Sequence, residues 1–287
     1  MSEHKFTRRS FLKLFFGSVV GSTAMGFGGY KYASRVEPDW VKVEQVKLTL
    51  PRLSPTFNGY TIAQISDIHK DKWMTPARLD PIIEKVNALE ADTIAITGDF
   101  FSVNPSVYYD EMVASLSKLK AKDFTIGVLG NHDHWTDPVT VRAVLEDSGV
   151  NDISNTLKTL KSGNSQLHFA GVDDYWVREA RLDLVLEQLP ADGCAILLAH
   201  EPDFADISAP TRRFDLQISG HSHGGQVNIP IYGPPITPQY GEKYPIGLYE
   251  IEEMLLYTNR GVGVIPPRVR FNCRPEITLF KLLSPNA

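Results

Sequence analysis

Residues 124–134 read FTIGVLGNHDH, an apolar run of strand length that stops at a cluster of polar side chains. A short apolar run bounded by Gly and Asn is typical of a strand buried on both faces. The same pattern recurs in five further segments, at 60–66, 93–97, 166–171, 194–199 and 215–219. Amphipathic stretches separate these runs, at 76–89, 107–120, 138–147 and 179–189. Alternating strands and helices predict an α/β fold with helix-covered sheets.

The C-terminal part of the chain has a different texture. Residues 224–247 are rich in Gly and Pro, which predicts a long loop or an edge hairpin. Residues 248–257 and 276–282 are apolar again, and we expect them to form late strands.

The composition excludes several classes of protein. With 287 residues, 43% of them hydrophobic and 22% charged, the chain is neither disordered, collagen-like nor a coiled coil. Residues 1–35 carry a net charge of +5 and the remainder a net charge of −10. A body this acidic is unsuited to stable nucleic-acid binding, which depends on Lys and Arg. Two cysteines, Cys194 and Cys273, exclude a disulfide framework and a Cys-rich zinc site.

The first 35 residues have the composition of a targeting segment. Arg8 and Arg9 precede an uncharged stretch over residues 14–30. A basic segment before a moderately apolar one is typical of a bacterial export signal, and the paired arginines indicate the twin-arginine export machinery. An N-terminal membrane anchor is the alternative, and cleavage stays open. We therefore predict export to the periplasm or to the outer face of the cytoplasmic membrane, with 36–287 as a single domain.

Polar side chains with metal-binding chemistry stand at the C-terminal ends of the predicted strands. The segments are Asp67-Ile68-His69, Gly98-Asp99, Gly130-Asn131-His132-Asp133-His134, Ala199-His200 and Gly220-His221-Ser222-His223-Gly224. Ligands of open α/β sheets bind in the crevice at these strand ends. We therefore expect these side chains to line one pocket.

The donor types indicate two metal ions. Carboxylates, imidazoles and a carboxamide without a thiolate suit divalent Mn, Fe or Zn. Two Asp, one Asn and four His exceed the needs of one ion, but they fill two sites if one carboxylate is shared. A pair of this kind clamps the oxygens of a phosphoryl group during in-line displacement, so the chemistry indicated is phosphoester hydrolysis.

This ordered set of motifs resembles that of the calcineurin-like metallophosphoesterases, over about residues 60–225. The tail, with Gly224-Gly225-Gln226, Thr258-Asn259-Arg260-Gly261-Val262-Gly263 and Asn272-Cys273-Arg274-Pro275-Glu276, is similar to the exported bacterial phosphodiesterases of the YaeI and YkuE type. The resemblance implies two facing mixed β-sheets flanked by helices, a four-layer αββα sandwich. It also implies that the catalytic domain covers 36–287 and that a hydroxide bridging the two ions attacks the phosphorus.

Position by position, the resemblance implies two ligand sets that share Asp99. One ion would be held by Asp67, His69, Asp99 and His223, and the other by Asp99, Asn131, His200 and His221.

The resemblance also implies roles for residues that are not ligands. His132 would lie beside the phosphoryl group as a catalytic residue, and Asp133 would orient it. Apart from the resemblance, the sequence itself offers His134 and Arg260 as candidate substrate contacts, although a surface histidine and a surface ion pair are the alternatives. Trp73, Trp135 and Trp176 closely follow polar motifs and would form an aromatic rim or pack loops together, and His168 is expected to be a satisfied strand residue.

Two rival functions remain to be weighed. Gly220-His221-Ser222-His223-Gly224 matches the G-x-S-x-G nucleophile elbow of serine hydrolases. That elbow must lead into a helix, and its base follows the serine, whereas His223 is the last histidine of the chain. We therefore reject this function. The other rival is an exported non-catalytic metal-binding or scaffold protein. The sequence favours an exported phosphodiesterase acting on an anionic envelope substrate (a phospholipid, a nucleotide-sugar-lipid pyrophosphate or a wall polymer).

Overall fold

The computed structural model describes residues 26–287 and contains two six-stranded β-sheets. The first sheet has the strand order β1-β12-β2-β3-β4-β5. Its strands are β1 (Lys42–Thr49), β2 (Thr61–Ile65), β3 (Thr93–Thr97), β4 (Phe124–Val128), β5 (Asn151–Asp152) and β12 (Glu276–Leu283). Strands β2 to β5 run parallel, whereas β12 is antiparallel to β2, so the sheet is mixed.

The second sheet has the strand order β10-β11-β9-β8-β7-β6. It contains β6 (Thr156–Ser162), β7 (Ser165–Gly171), β8 (Cys194–Leu198), β9 (Leu216–Ser219), β10 (Gly247–Ile251) and β11 (Met254–Thr258). Its four central strands are parallel, and an antiparallel strand closes each edge.

Helices cover the outer face of each sheet. Residues 26–35 are helical and form the described part of α1. The others are α2 (Pro76–Asn87), α3 (Tyr109–Leu116), α4 (Asn131–Thr136), α5 (Pro138–Asp147), α6 (Leu182–Gln188) and α7 (Ala205–Ser208). Buried side chains of α2, α3 and α5 join those of the first sheet in one core, and α6 and α7 pack on the second sheet in another.

A third core lies between the two sheets. Ile62 and Ile126 of the first sheet lie in one buried cluster with Phe169, Ile196 and Ile218 of the second. Alternation along each strand produces this arrangement, because successive side chains point to opposite faces. Ala63 and Ala195, one residue from inward-facing neighbours, belong instead to the outer cores. The layers are therefore helix, sheet, sheet, helix, which confirms the predicted sandwich.

Several predicted boundaries need correction. Residues 248–257 form a hairpin, β10 and β11, because Glu252 takes a left-handed conformation (φ 54°) that reverses the chain. The helix predicted over 107–120 is shorter, and Val107 lies in a preceding 3₁₀ turn. Strands β1 and β6 were not predicted, since their half-exposed side chains break the apolar pattern. Residues 224–247 form a long loop, as expected.

The N-terminal predictions lie mostly outside this description. Arg8, Arg9 and most of the uncharged stretch precede residue 26, so the export signal and the domain boundary at residue 36 stay predictions. Within residues 26–287, no helix combines the length and apolarity needed to span a membrane. Cys194 and Cys273 are free and buried.

Candidate metal centre

The predicted ligand residues converge where the parallel strands of both sheets end. Asp67, Asp99 and Asn131 follow β2, β3 and β4, while His200 and His221 follow β8 and β9. Because the two sheets face each other, their strand ends meet along one crevice. Two groups have ligand atoms within 4.8 Å of one another, namely Asp67 with His69 and His223, and Asp99 with His200 and His221.

Asp99 lies between the two groups. Its Oδ2 atom is 3.4 Å from His69 Nε2 and 3.3 Å from His200 Nε2. His223 Nε2 is 3.3 Å from Asp67 Oδ1 and 2.9 Å from His69 Nε2. Donor atoms at these separations surround two positions, and Asp99 reaches an imidazole of each group.

The backbone is strained at these positions. Asp67, His69, Asp99, His221 and His223 all take left-handed conformations, with φ between 51° and 68°. A side chain with a Cβ rarely adopts this region, and each such residue costs on the order of 1–3 kcal/mol. A fold retains strain of this kind where side-chain direction matters more than stability, so the clustering supports a functional site.

Two glycines bring the loops into close contact. A Cβ on Gly130 would collide with Asp99 Oδ1 and lie 2.8 Å from His200 Nε2. A Cβ on Gly220 would overlap Ser66 and Asp67. Side chains at either position would therefore push the candidate ligands apart.

Backbone carbonyls fix the orientation of two imidazoles. His200 Nδ1 donates to Thr97 O at 2.6 Å, and His221 Nε2 donates to Gln239 O at 2.9 Å. The remaining nitrogens of the two rings, His200 Nε2 and His221 Nδ1, lie 3.2 Å apart on the side of the candidate centre. Outer hydrogen bonds of this kind hold the ring in place and raise its basicity towards a metal.

The site contains neutral imidazoles beside a charged pair. Burial lowers the pKa of His69 to about 3 and that of His221 to about 4. Burial also disfavours the charged forms of Asp99 and His200, but the attraction between these two charges outweighs the effect of burial. It lowers the pKa of Asp99 and raises that of His200. Burial and the charge of Asp99 together raise the pKa of Asp67 to about 7.

An unpartnered buried atom tests whether a cation fits here. Asn131 Oδ1 is buried and has no hydrogen-bond donor. A buried carbonyl oxygen without a partner costs about 1–3 kcal/mol, and a divalent ion would satisfy it. No Lys or Arg lines the cavity among residues 26–287, so no cationic side chain of fixed charge faces Asp99 there. The residues present fit a pair of divalent ions.

His132 also faces the cavity. Its ring meets the His69 ring edge-on, with the centroids 4.7 Å apart, and its backbone N–H donates to Asp99 Oδ1 at 2.9 Å. A ring nitrogen of His132 lies within 4.8 Å of ligand atoms of His69 and Asp99. The structure therefore places this imidazole beside the candidate centre.

Asp133 does not contact the His132 ring, which corrects the predicted orienting contact. It is fully buried and accepts hydrogen bonds from the backbone N–H groups of Gly130 and Phe101, each at 3.0 Å. Burial and the charge of Asp99 raise the pKa of Asp133 to about 7. Its position joins the loops after β3 and β4, so it acts on His132 only through the backbone.

The two candidate substrate contacts lie outside the cavity. His134 Nε2 is 2.7 Å from Asp173 Oδ1, and Asp173 also accepts from Arg142. Arg260 pairs with Glu276 and Glu44 at 2.5 Å and 2.6 Å. Both side chains are engaged elsewhere, so the ion-pair alternative is the correct one for Arg260. His168 is satisfied by Thr159 and Asp192 O, as predicted.

A cavity of about 390 Å³ opens above the candidate ligands. Its aromatic wall consists of Trp135 and Trp176, whose rings meet edge-on at 5.2 Å, and Trp176 also contacts His221. Trp73 is not part of this rim, because it packs between Arg78 and Arg268. Most of the remaining lining is apolar (Val227, Pro235, Ile236, Pro238, Ile265, Pro266, Pro267 and Val269), and Ser222, Gln226 and Thr237 are its polar members.

Two supporting features were missed from the sequence. The fully buried Arg270 donates to the carbonyl oxygens of Arg260, Gly261 and Gly263, and its Nη2 is 3.5 Å from His223 Nδ1. Arg270 stands just before the Asn272-Cys273-Arg274-Pro275-Glu276 motif, and that adjacency was the available signal.

The second missed feature is a buried carboxyl pair beneath Trp176. Glu201 accepts from the backbone N–H groups of Tyr175 and Trp176. Burial and the charge of Glu201 raise the pKa of Asp174 to about 10, so Asp174 holds a proton at neutral pH. Its Oδ2 is buried and has no hydrogen-bond partner. Glu201 directly follows the predicted ligand His200, and this adjacency was the signal available in the sequence.

Comparison with known proteins gives consistent matches. The model of the calcineurin-like phosphoesterase family matches residues 60–225. The uncharacterized metallophosphoesterase YkuE of Bacillus subtilis (strain 168) is 34% identical over 286 residues, 98% of this chain and 99% of that protein. Phosphodiesterase YaeI of Escherichia coli (strain K12) is 28% identical over 284 residues, 96% of this chain and 99% of that protein. A transmembrane protein with metallophosphoesterase domain from Bos taurus is 30% identical over 255 residues, 82% of this chain and 56% of that protein.

Proposed function

The chain belongs to the calcineurin-like phosphoesterase family and is a metal-dependent hydrolase of phosphoric esters, and from that premise we propose that it is an exported phosphodiesterase of the cell envelope. The resemblance inferred from the motifs at 60–225 is thereby confirmed. The envelope substrate, the export route and the residue roles are our proposal.

The observation that carries the proposal is the convergence of donors from both sheets around Asp99, beside a buried carbonyl oxygen that has no partner. We assign Asp67, His69, Asp99 and His223 to one ion, and Asp99, Asn131, His200 and His221 to the other. When bound, two divalent ions supply a water nucleophile at neutral pH and positive charge for the phosphoryl oxygens.

The side chains of this chain then have separate tasks. The imidazoles would hold the ions through ring nitrogens, and Thr97 O and Gln239 O keep the His200 and His221 rings in orientation. His132 lies at the cavity side of the centre, where its ring N–H can donate to a phosphoryl oxygen or protonate the departing alkoxide. Hydrolysis adds water across one P–O bond and gives a phosphomonoester and an alcohol.

An anionic substrate agrees with the electrostatics only if cations are bound. The described cavity offers the Asp99 carboxylate, imidazoles, neutral polar groups and apolar groups, but no Lys or Arg. Nucleic acid is disfavoured by the net charge of −10 over residues 36–287. A phospholipid, a nucleotide-sugar-lipid pyrophosphate and a wall polymer are the envelope candidates.

Metal analysis combined with a substrate panel tests this function. The purified protein would be loaded with Mn, Fe or Zn, and then assayed on diester, monoester and pyrophosphate substrates. We expect about two ions per chain and preferential hydrolysis of diesters. The rival function, a metal-carrying scaffold protein, predicts bound metal without hydrolysis of any substrate. A His168→Asn variant, changed far from the centre, controls for non-specific binding by imidazoles.

Export is tested separately. Replacing Arg8 and Arg9 by Lys keeps the charge but removes the pair that a twin-arginine receptor reads, so the protein should stay in the cytoplasm. Replacing Lys5 and Lys13 by Arg is the matched control and should leave export intact. Normal amounts of the double-Lys variant in the envelope would refute the twin-arginine route.

A further inference from the structure

A long segment at the cavity mouth carries no charged side chain. Residues 226–241, which we call the rim loop, contain no Asp, Glu, Lys or Arg. Ile231, Tyr232 and Ile236 in this loop are 102%, 87% and 79% exposed. Soluble surfaces seldom present such side chains together, and clusters of them mark sites that contact another molecule.

The rim loop borders the cavity directly. Its residues Val227, Pro235 and Ile236 form part of the cavity wall, while Ile231 and Tyr232 lie outside the cavity at the tip. Trp135, which also lines the cavity, is 53% exposed. Apolar side chains thus extend from the loop tip into the cavity that opens above the candidate metal centre.

The same side of the molecule receives the N-terminal part of the chain. Val227 bridges to Phe271, and the neighbouring Arg270 N–H donates to Ala33 O of α1. Helix α1 exposes Phe27 and Tyr30. The sequence that leads into it is uncharged from residue 14 to residue 30. The described part of α1 and the rim loop therefore lie on one side, where Tyr32 and Pro230 line the same pocket.

We propose that the rim loop docks on a lipid bilayer and that the cavity takes the hydrocarbon tail of a phosphoester drawn from that bilayer. The inference rests on the proposed function and narrows its substrate to a membrane lipid. A sugar-based wall polymer would require many polar groups along its path. Outside the candidate metal centre the lining offers Ser222, Gln226 and Thr237, and the first two already donate to backbone carbonyls. A bilayer requires apolar side chains at the tip and a mostly apolar path to the centre, and both are present.

Physical considerations favour insertion over electrostatic attachment. Burying exposed apolar area is favourable in proportion to that area, whereas the uncharged loop has nothing to offer anionic head groups. Pro230, Pro234, Pro235 and Pro238 restrict the loop, so docking orders few additional bonds. Binding of the loop should therefore depend little on salt.

A probe on the loop tip tests docking in the full-length protein. Because Cys194 and Cys273 are buried, Tyr232→Cys can be labelled selectively with a polarity-sensitive dye. Vesicles of phosphatidylcholine and phosphatidylglycerol in equal parts should shift its emission to the blue, at low and at high salt. The control, Asn164→Cys, lies in the β6–β7 turn at the opposite end of the strands and should not respond. A label at 232 that stays in water with vesicles present would overturn docking.

A kinetic comparison tests the substrate class. Ile231→Asp combined with Tyr232→Asp should reduce hydrolysis of phosphatidylglycerol in vesicles at least about tenfold, because two apolar side chains no longer insert. Hydrolysis of a soluble nitrophenyl diester should be unchanged, which also shows that the variant is folded. Val139→Asp, exposed on α5, controls for the added charge.

The outcomes separate this inference from the proposed function. A wild-type enzyme that cleaves soluble diesters, with equal vesicle activity in the double variant, overturns the inference alone. Metal-loaded protein that cleaves no phosphoester overturns the proposed function, while the label at 232 still decides docking. If light scattering shows a lipid-free dimer that the double variant dissociates, a second copy occupies the loop and the bilayer proposal is wrong.

Discussion

The floor and the rim of the same cavity differ in almost every physical respect. At the floor, Asp67 and Asp99 are buried, left-handed and held by backbone hydrogen bonds. At the rim, Ile231 and Tyr232 are fully or nearly fully exposed. Strain and burial at the floor fix side-chain direction, which chemistry requires. At the rim, contact between apolar side chains and water is unfavourable, and an external partner that covers these side chains would remove that contact.

Arg270 connects the two regions. Its guanidinium holds three carbonyl oxygens of the 260–263 loop beside Asp67, while its backbone N–H bonds α1 and its neighbour Phe271 bridges to the rim loop. Arg270 and its neighbour therefore connect the floor to the rim. Even so, we expect substitutions at the floor to change metal binding and catalysis, and substitutions at the rim to change membrane docking.

The largest effect is expected at Asp99. Asp99→Asn keeps the shape and the acceptor for His132 N–H but removes the charge shared by both ligand groups. We expect fewer than two metal ions per chain by elemental analysis, and diester hydrolysis reduced to background. Asp123→Asn, an exposed carboxylate that accepts from Tyr60 at the opposite strand ends, is the matched control and should be active. Full metal content in Asp99→Asn would refute the shared-carboxylate assignment.

The next effect separates chemistry from metal binding at the floor. His132→Asn should keep both metals, while kcat on an unactivated diester falls about 10²–10⁴-fold because proton transfer or charge stabilisation is lost. A smaller loss on a nitrophenyl diester, whose leaving group needs no proton, would identify a general acid. His134→Asn on the same helix should change neither quantity. Loss of metal from His132→Asn would make His132 a ligand.

A smaller effect is expected on the pH dependence of stability, through the buried carboxyl pair of Asp174 and Glu201. The pKa of Asp174 is raised from its usual value to about 10, so the folded state retains a proton that the unfolded state loses near pH 4. This contribution to stability is present below pH 4 and is lost as the pH rises towards 10, by up to about 1.4 kcal/mol per pH unit.

Asp174→Asn removes that titration. The amide can donate to Glu201 in place of the proton, so the variant should gain stability relative to the wild type more at pH 9 than at pH 5. Urea unfolding at both values measures the difference. Asp173→Asn is the neighbouring control, because its pKa is lowered and its pH trend is opposite. A parallel pH profile for Asp174→Asn and wild type would show that Asp174 is ionised in the fold.

The smallest effect is expected at the rim. Ile231→Ser should change the free energy of unfolding by less than about 0.5 kcal/mol, because the side chain is fully exposed. Soluble-diester activity should also be unchanged. Phe280→Ser, in the core between the sheets, provides the contrasting loss of stability. A large stability change at Ile231 would mean that the rim is part of the fold and not a free surface.

The sequence predicted the positions of the polar clusters better than their local geometry. Strands such as 93–97 were identifiable because they are short, apolar and end at Gly-Asp, so parallel pairing necessarily gathers their ends. The convergence of Asp67, Asn131 and His200 follows from that rule. The family resemblance supplied the division into two ligand groups.

The remaining features depend on distances that a linear pattern does not contain. Asp133 is adjacent to His132 in sequence, but its helix turns the carboxylate towards Gly130 N and Phe101 N. Arg260 is placed by a pairing with Glu44, which is more than two hundred residues away. Left-handed conformations at non-glycine residues contradict local preference, so only tertiary packing selects them.

The order of strands in the first sheet has a consequence for biosynthesis. Among the strands of residues 26–287, β1 pairs with β12 alone, Lys42 lying opposite Glu276, and β12 in turn separates β1 from β2. During translation β1 therefore lacks this neighbour until residues 276–283 have been made. A nascent chain can build the second sheet early, but the first sheet closes only at the end. Until then β1 and β2 expose unpaired edges, and a chaperone holding residues 42–65 would shorten the period in which they can aggregate.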